Sequence, residues 1–222
     1  MTQTVVGLYD KIDDAQKAVR GLREDGFREA DISLVAQDMG GQMSRTLVDR
    51  PTSAPSAAAG GATAGAMLGG LGGLLVGIGA LAIPGVGPVV AAGPLAAALT
   101  AAIGVGAGAV AGGAAGGVVG ALVDMGVPDT DAQYYVEGVR RGGALLTVTV
   151  PDDEADRARK TLEQHHPVNV TDRAEQWRQA GWTGYNPNAQ PYTTDPLLRD
   201  RGAYKSPDVA PVTDNTRVYK HE

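Results

Sequence analysis

Between Pro51 and Val123 the chain carries no Asp, Glu, Lys, Arg or His, so its 19 Lys and Arg and its 25 Asp and Glu all stand in two flanks. Within that neutral stretch glycine recurs at every fourth position twice. The first row is Gly61, Gly65, Gly69, Gly73 and Gly77; the second is Gly104, Gly108, Gly112, Gly116 and Gly120. A period of four has meaning on a helix, where residues i and i+4 share a face. In water each mid-helix glycine costs about 1 kcal/mol relative to alanine. In lipid an unpaired backbone group costs more than that, and helix becomes nearly compulsory. Bare glycine edges then let two backbones approach closely.

The stretch therefore reads as a helical hairpin. One arm covers residues 57 to 82, "IPGVGP" at 83 to 88 makes the turn, and a second arm runs from about Pro94 to about Val123. Pro94 suits a first helical position. At 1.5 Å per residue, arms of 26 and 30 residues would span roughly 39 and 45 Å, beyond the roughly 30 Å of a bilayer's hydrocarbon. The ten glycines are the expected helix-packing residues. The same pattern is also met by Gly/Ala-rich helices packing on one another in a soluble self-assembly.

The flanks carry ordinary amphipathic signals. "TVVGLYD" reads as a strand. "IDDAQKAVRGLREDGF" reads as a helix with Ala15, Ala18, Val19 and Leu22 on one face, Asp13 or Asp14 at its cap and Gly26 at its end. "DISLVA" is a second strand. Beyond the neutral stretch, "PDTDAQYYVEGVRRGG" is a helix with Asp129 or Thr130 near its cap. "ALLTVTV" is a strand, "DDEADRARKTLEQHH" a helix with Ala155, Ala158 and Leu162 on one face, and "VNVTD" a closing strand. The expected fold class is α+β, a ferredoxin-like βαβ…αβαβ sandwich interrupted by the long Gly/Ala-rich helical hairpin. Residues 1–50 form its N-terminal βαβ half, 51–123 the glycine-zipper hairpin, 124–172 its C-terminal αβαβ half, and 173–222 a mostly disordered tail.

Chemistry is sparse. A net charge of −6 and the lack of a Lys/Arg stripe argue against nucleic acid as a partner. Cysteine is absent, which excludes disulfides, thiolate metal sites and cysteine nucleophiles. "GVGAGAVAGG" has neither the P-loop Lys nor a preceding strand. His165 and His166 are adjacent and point apart at a helix end. The pairs Asp13–Asp14 and Asp152–Asp153 sit at helix starts, where carboxylates offset orphan N–H groups. Arg140 and Arg141 could meet lipid phosphates or the end of their own helix. Trp177, Trp182, Tyr185 and Tyr192 lie in the tail, able to dock on the sheet or touch a membrane interface. The N-terminus has no basic segment leading into an apolar one, so it does not read as a secretory signal. No catalytic, cofactor-binding or metal-binding residue is expected, and the chain is not expected to be an enzyme.

"TVVGLYDKIDDAQKAVRGLREDGF", "GALAIPGVGPVVAAGPLAAAL" and "GVPDTDAQYYVEGVRRGGALLTV" resemble the bacterial general stress protein family with a heat-induced stress protein domain, the general stress protein 17M-like group. The resemblance covers about residues 3 to 172. It implies a general stress-response role, no established catalytic residues and frequent membrane entry. The expectation is a non-enzymatic stress protein held by its hairpin at the cytoplasmic membrane, with the lipid bilayer as partner and the globular domain on the cytoplasmic side. A homo-oligomer is possible and a small-molecule ligand is unknown. The alternative is a cytoplasmic, self-associating ferredoxin-like regulatory or ligand-binding module.

Overall fold

A computed structural model describes residues 1–38, 79–83, 85–104, 117–186, 188–190, 192 and 215–220. Six strands are seen: β1 Thr2–Tyr9, β2 Ile32–Gln37, β3 Gly79–Ile83, β4 Gly87–Ala92, β5 Ala144–Pro151 and β6 Thr216–Lys220. Six α-helices accompany them among the described residues: α1 Ile12–Glu24, α2 Pro94–Gly104, α3 Gly117–Asp124, α4 Asp129–Arg140, α5 Ala155–Glu163 and α6 Val170–Gln179. The strands form one sheet in the order β3-β4-β2-β5-β1-β6, with every neighbouring pair antiparallel. The class is α+β, with six strands where four were expected.

Both faces of the sheet are covered. Val5 and Tyr9 of β1, Ile32 and Leu34 of β2, and Leu146, Val148 and Val150 of β5 pack under Ala15, Ala18, Val19 and Leu22 of α1 and Ala158 and Leu162 of α5. These are the helix faces that the spacing predicts. On the opposite face Val6, Leu8, Val35, Val89, Ala91 and Leu145 pack with Leu95 and Leu99 of α2, Leu122 of α3, Tyr135 and Val139 of α4, and Trp177 of α6. Two helix layers around one sheet bury both sides of its central strands, so that even Thr147, which alternates with Leu146 and Val148 in β5, is fully buried.

Thr147 sits in this doubly covered strand, fully buried, and no described group hydrogen-bonds its Oγ1. A buried hydroxyl without a partner costs its desolvation. Thr147→Val is thus expected to raise stability by about 1 kcal/mol, read as a shift in the urea midpoint.

The neutral stretch departs most from expectation. Residues 79–83, taken as the end of the first helical arm and the start of the turn, are strand β3. Residues 87–92 are β4 and pair with both β3 and β2. The turn was rightly placed, but it joins two strands: Gly85 and Gly87 have φ of 72° and 100°, and the Val86 N–H donates to the Ile83 carbonyl at 3.1 Å. A short apolar run bounded by glycine does not reveal by periodicity whether it is a buried strand or a helix. Here Val89 and Val90, β-branched and both buried, tip the balance.

The second arm begins at Pro94 as expected, but α2 covers 11 residues, about 16 Å of rise. No helix among the described residues is long and apolar enough to cross a membrane. The far end of that arm is α3, whose Leu122 is fully buried. Of the expected packing glycines, Gly61, Gly65, Gly69, Gly73, Gly77, Gly108, Gly112 and Gly116 lie outside the described residues. Gly104 is the last residue of α2. Gly120 lies in α3, and no described atom comes within 4 Å of where its Cβ would stand.

Two further expectations are corrected. "VNVTD" is not the closing strand. Val168 makes a single bridge to Leu8, and Asn169 then starts α6, its side chain accepting from the N–H groups of Thr171 and Asp172 at 3.0 and 3.2 Å. An Asn that satisfies two orphan N–H groups favours helix over strand at this point. The strand beside β1 is instead β6, from within the expected disordered tail. Asn169→Ala should cost about 1 kcal/mol, seen in chemical denaturation, with α6 losing helicity first.

Candidate functional site: the groove at the β1–β6 edge

β6 is short and sits at the rim of the sheet. Its five residues pair with β1 from Gln3↔Lys220 to Gly7↔Thr216. Side chains alternate across it. Thr216 and Val218 turn to the α1/α5 layer, where the Thr216 hydroxyl donates to Glu163 at 3.1 Å and Val218 packs on the core. Arg217 and Tyr219 turn to the α4/α6 layer. Arg217 donates to Asp131 at 2.6 Å and also to the hydroxyl of Thr171. Tyr219 donates to the same Asp131 carboxylate at 2.9 Å. Its one proton is then committed, so in its 3.1 Å contact with Tyr135 the Tyr135 hydroxyl is the donor.

The electrostatics follow from burial and from Asp131. Burial first, then the charges and hydrogen bond at this carboxylate, push Tyr219 up to about 12. Burial likewise raises Tyr135 well above its ordinary value, with Tyr219 adding to it. For Arg217 burial opposes the charge, but the hydrogen bond and field of Asp131 outweigh it and its pKa is raised. The hydroxyls stay protonated and the guanidinium charged at any ordinary pH. The chain Tyr135–Tyr219–Asp131–Arg217 is a fixed polar lock with no group poised to exchange a proton near neutrality.

Beside the lock runs an open groove of about 610 Å³, lined by Asp131 of α4, Arg159 of α5, Asn169, Thr171 and Asp172 at the start of α6, and β6 itself. Its walls mix signs: Arg159 is engaged by Glu163 at 2.8 Å and Arg217 by Asp131. Such a surface suits a polypeptide carrying both charges better than a phosphate or an apolar ligand.

A second polar cluster lies at the other end of α4. Glu137 is fully buried and holds Arg141 at 2.7 Å and Arg140 at 3.3 Å, with the Tyr192 hydroxyl donating to it at 3.3 Å. Tyr192 stacks 4.1 Å below the Arg140 guanidinium. Nearby, Arg173 of α6 reaches Asp10 at 2.9 Å. The cavity between Arg141, Arg173 and Trp177 measures only about 10 Å³, room for roughly one water. The cluster therefore serves as a clasp that fixes Gln190 and Tyr192 on α4, too tight to be a ligand site.

This placement settles several sequence readings. Arg140 and Arg141 are buried and turned to Glu137, so they do not offer themselves to lipid phosphates. Of the tail aromatics, Trp177 packs in the core layer against the sheet, and Trp182 packs on Trp177 and Tyr134. Trp177 is buried, and Trp182 meets it edge-on at 6.0 Å and meets Tyr134 at 5.8 Å. Asp13 and Asp14 lie in the first turn of α1, but the cap is Lys11, which makes no side-chain cap bond. Asp152 and Asp153 lie in the turn before α5, whose cap is Glu154. His165 is half-buried and His166 exposed, and they do not converge on a common centre. Burial, then the charge of Lys17 and of His166, hold His165 below its ordinary pKa. Among the described residues no three His, Cys, Asp or Glu are grouped to hold a metal ion. Sequence reasoning missed Asp131, Tyr135, Arg217 and Tyr219 altogether. The available signal was "TRVYK", a β-favouring run of Thr, Val and Tyr inside a tail otherwise rich in Pro, Asp and Asn.

Residues 4–82 match the family model of the heat induced stress protein YflT domain, a span holding β1, α1, β2 and most of β3. The match stops short of the region 83–172 over which the motifs also resemble the general stress proteins. No curated protein and no solved structure matches the chain.

Proposed function

We propose that this chain, whose residues 4–82 match the family model of the heat induced stress protein YflT domain, acts in the general stress response as a non-catalytic binding module. It works through the β1–β6 edge of its sandwich and recognises polypeptide. One observation carries this reading. The sheet is closed at that edge by a strand from a distant part of the chain, gripped by side chains from three helices, Asp131 and Tyr135 of α4, Glu163 of α5 and Thr171 of α6. Strand addition supplies affinity through main-chain bonds, and pockets for alternate side chains supply selectivity.

Among the described residues nothing supports a membrane-spanning arm: residues 79–83 at the end of the first arm are β3, and the described parts of the second are α2 and α3, neither long enough to cross. Fractionation of cells expressing the intact chain tests the choice. The binding-module reading expects the protein in the supernatant of a high-speed spin without detergent. Recovery in the membrane pellet, with release only by detergent, would overturn it in favour of the anchored form.

A further inference from the structure

We propose that the β1 edge is a docking groove for the C-terminal strand of a second copy of this chain, so that copies associate by exchanging β6. This deepens the binding-module reading and rests on it for the edge, while committing to one occupant.

The groove is made to recognise this strand in particular. Its rim carries two carboxylates, Glu163 on one sheet face and Asp131 on the other. The strand brings Arg217 and Lys220, with Thr216 and Tyr219 as further donors. Thr216, Arg217 and Tyr219 each meet an acceptor placed for them, and the charges of Arg217 and Asp131 are complementary. Val218, between the anchors, fills the apolar floor beside Val5. A five-residue strand with this alternation is a complete ligand in itself: donor, cation, apolar residue, phenol, cation.

The strand is also separable from the rest of the fold. Beyond its pairing with β1, its grip among the described residues comes from Thr216, Arg217, Val218 and Tyr219. β1 keeps its eight-residue pairing with β5 whether or not β6 is in place. β6 is half-exposed apart from Thr216, and Lys220 is exposed. Among the described residues the side-chain bonds of the strand are made by residues 216–219, and the same bonds are open to an identical strand from another copy. The sheet edge left by a departed strand would be a bare row of N–H and C=O groups, which favours refilling by an identical strand. Exchange of one element between identical chains is a low-cost route to a symmetric dimer.

The absence of cysteine from the native sequence makes the test direct. Gln3 and Lys220 stand opposite each other across the β1–β6 pair. Full-length chains carrying Gln3→Cys and Lys220→Cys, with different tags, are co-expressed and treated with a short thiol crosslinker. The expected result is a mixed-tag dimer in clear excess over that from Gln3→Cys paired with Lys160→Cys, an exposed position on α5. Adding Arg217→Ala to the Lys220→Cys chain should lower the yield severalfold. A chain bearing both Gln3→Cys and Lys220→Cys reports docking itself, as an intrachain link. Intrachain linkage with mixed-tag product no higher than the Lys160→Cys control would overturn the exchange while leaving the edge as a binding surface. Absence of the intrachain link would overturn the docking, and the exchange with it. Membrane recovery in the fractionation would sink the binding-module reading on separate grounds.

Discussion

Glu137→Ala is expected to lower unfolding free energy by about 3–5 kcal/mol, the usual cost of removing one partner from a buried ion pair. Glu137 is fully buried in the middle of α4, and its two oxygens neutralise Arg141 and Arg140, each about nine-tenths buried. Truncation would strand two guanidiniums among Trp177, Tyr192 and the Gln190 carbonyl. Among the described residues, Gln190 and Tyr192 would have to lift away for water to reach them. Set against a typical total of about 5–15 kcal/mol, the loss approaches global unfolding. Glu137→Gln keeps the shape and an acceptor, so it should cost less than the alanine variant. Urea denaturation followed by tryptophan fluorescence measures both, because Trp177 lies against the cluster. A loss under about 1 kcal/mol for the alanine variant would mean that the cluster is solvated and not the clasp described.

Gly93→Ala is the second large effect. Gly93 joins β4 to α2 with φ of +81°, and a Cβ there would sit 2.0 Å from the Ile32 carbonyl oxygen in the neighbouring strand. The left-handed backbone alone costs a non-glycine residue about 1–2 kcal/mol. The overlap with main chain cannot be relieved by a side-chain rotation, so the start of α2 must move off β2. That would break the 3.0 Å bond from the Leu95 N–H to the Ser33 hydroxyl and loosen Leu95 and Leu99, both fully buried. The combined loss should exceed about 3 kcal/mol. Gly26→Ala is the matched control. Gly26 has φ of +89° with nothing within 4 Å of the added carbon, so it should show the backbone cost by itself. Equal losses at the two sites in thermal or urea melts would refute the steric argument.

The parts of the fold legible in the sequence are those where one side of an element meets water. α1 and α5 each present a polar face, so their buried residues fall at helical spacing and can be picked out. The covered sheet hid its own organisation: β3 and β4 are buried or glycine-rich, and their lack of alternation fits helix as well as strand. The glycine rows add a regular period that overrides the weaker β-branched signal of Val89 and Val90. The site was illegible for a different reason. Asp131, Glu163, Arg217 and Tyr219 are unremarkable surface types, and only chain reversal across long sequence separations brings them together. Asn169 was legible in principle, since Asn-Val-Thr-Asp is a helix-start pattern, but the preceding Val and Pro drew the reading toward a strand.

The placement of β6 sets an order on the birth of the molecule. β1 leaves the ribosome about two hundred residues ahead of its outer partner. At bacterial-scale elongation of about 5–20 residues per second, the rim of the sheet waits roughly 10–40 s for its cover. During that interval neighbouring nascent chains on one message hold the same unpaired rim close together.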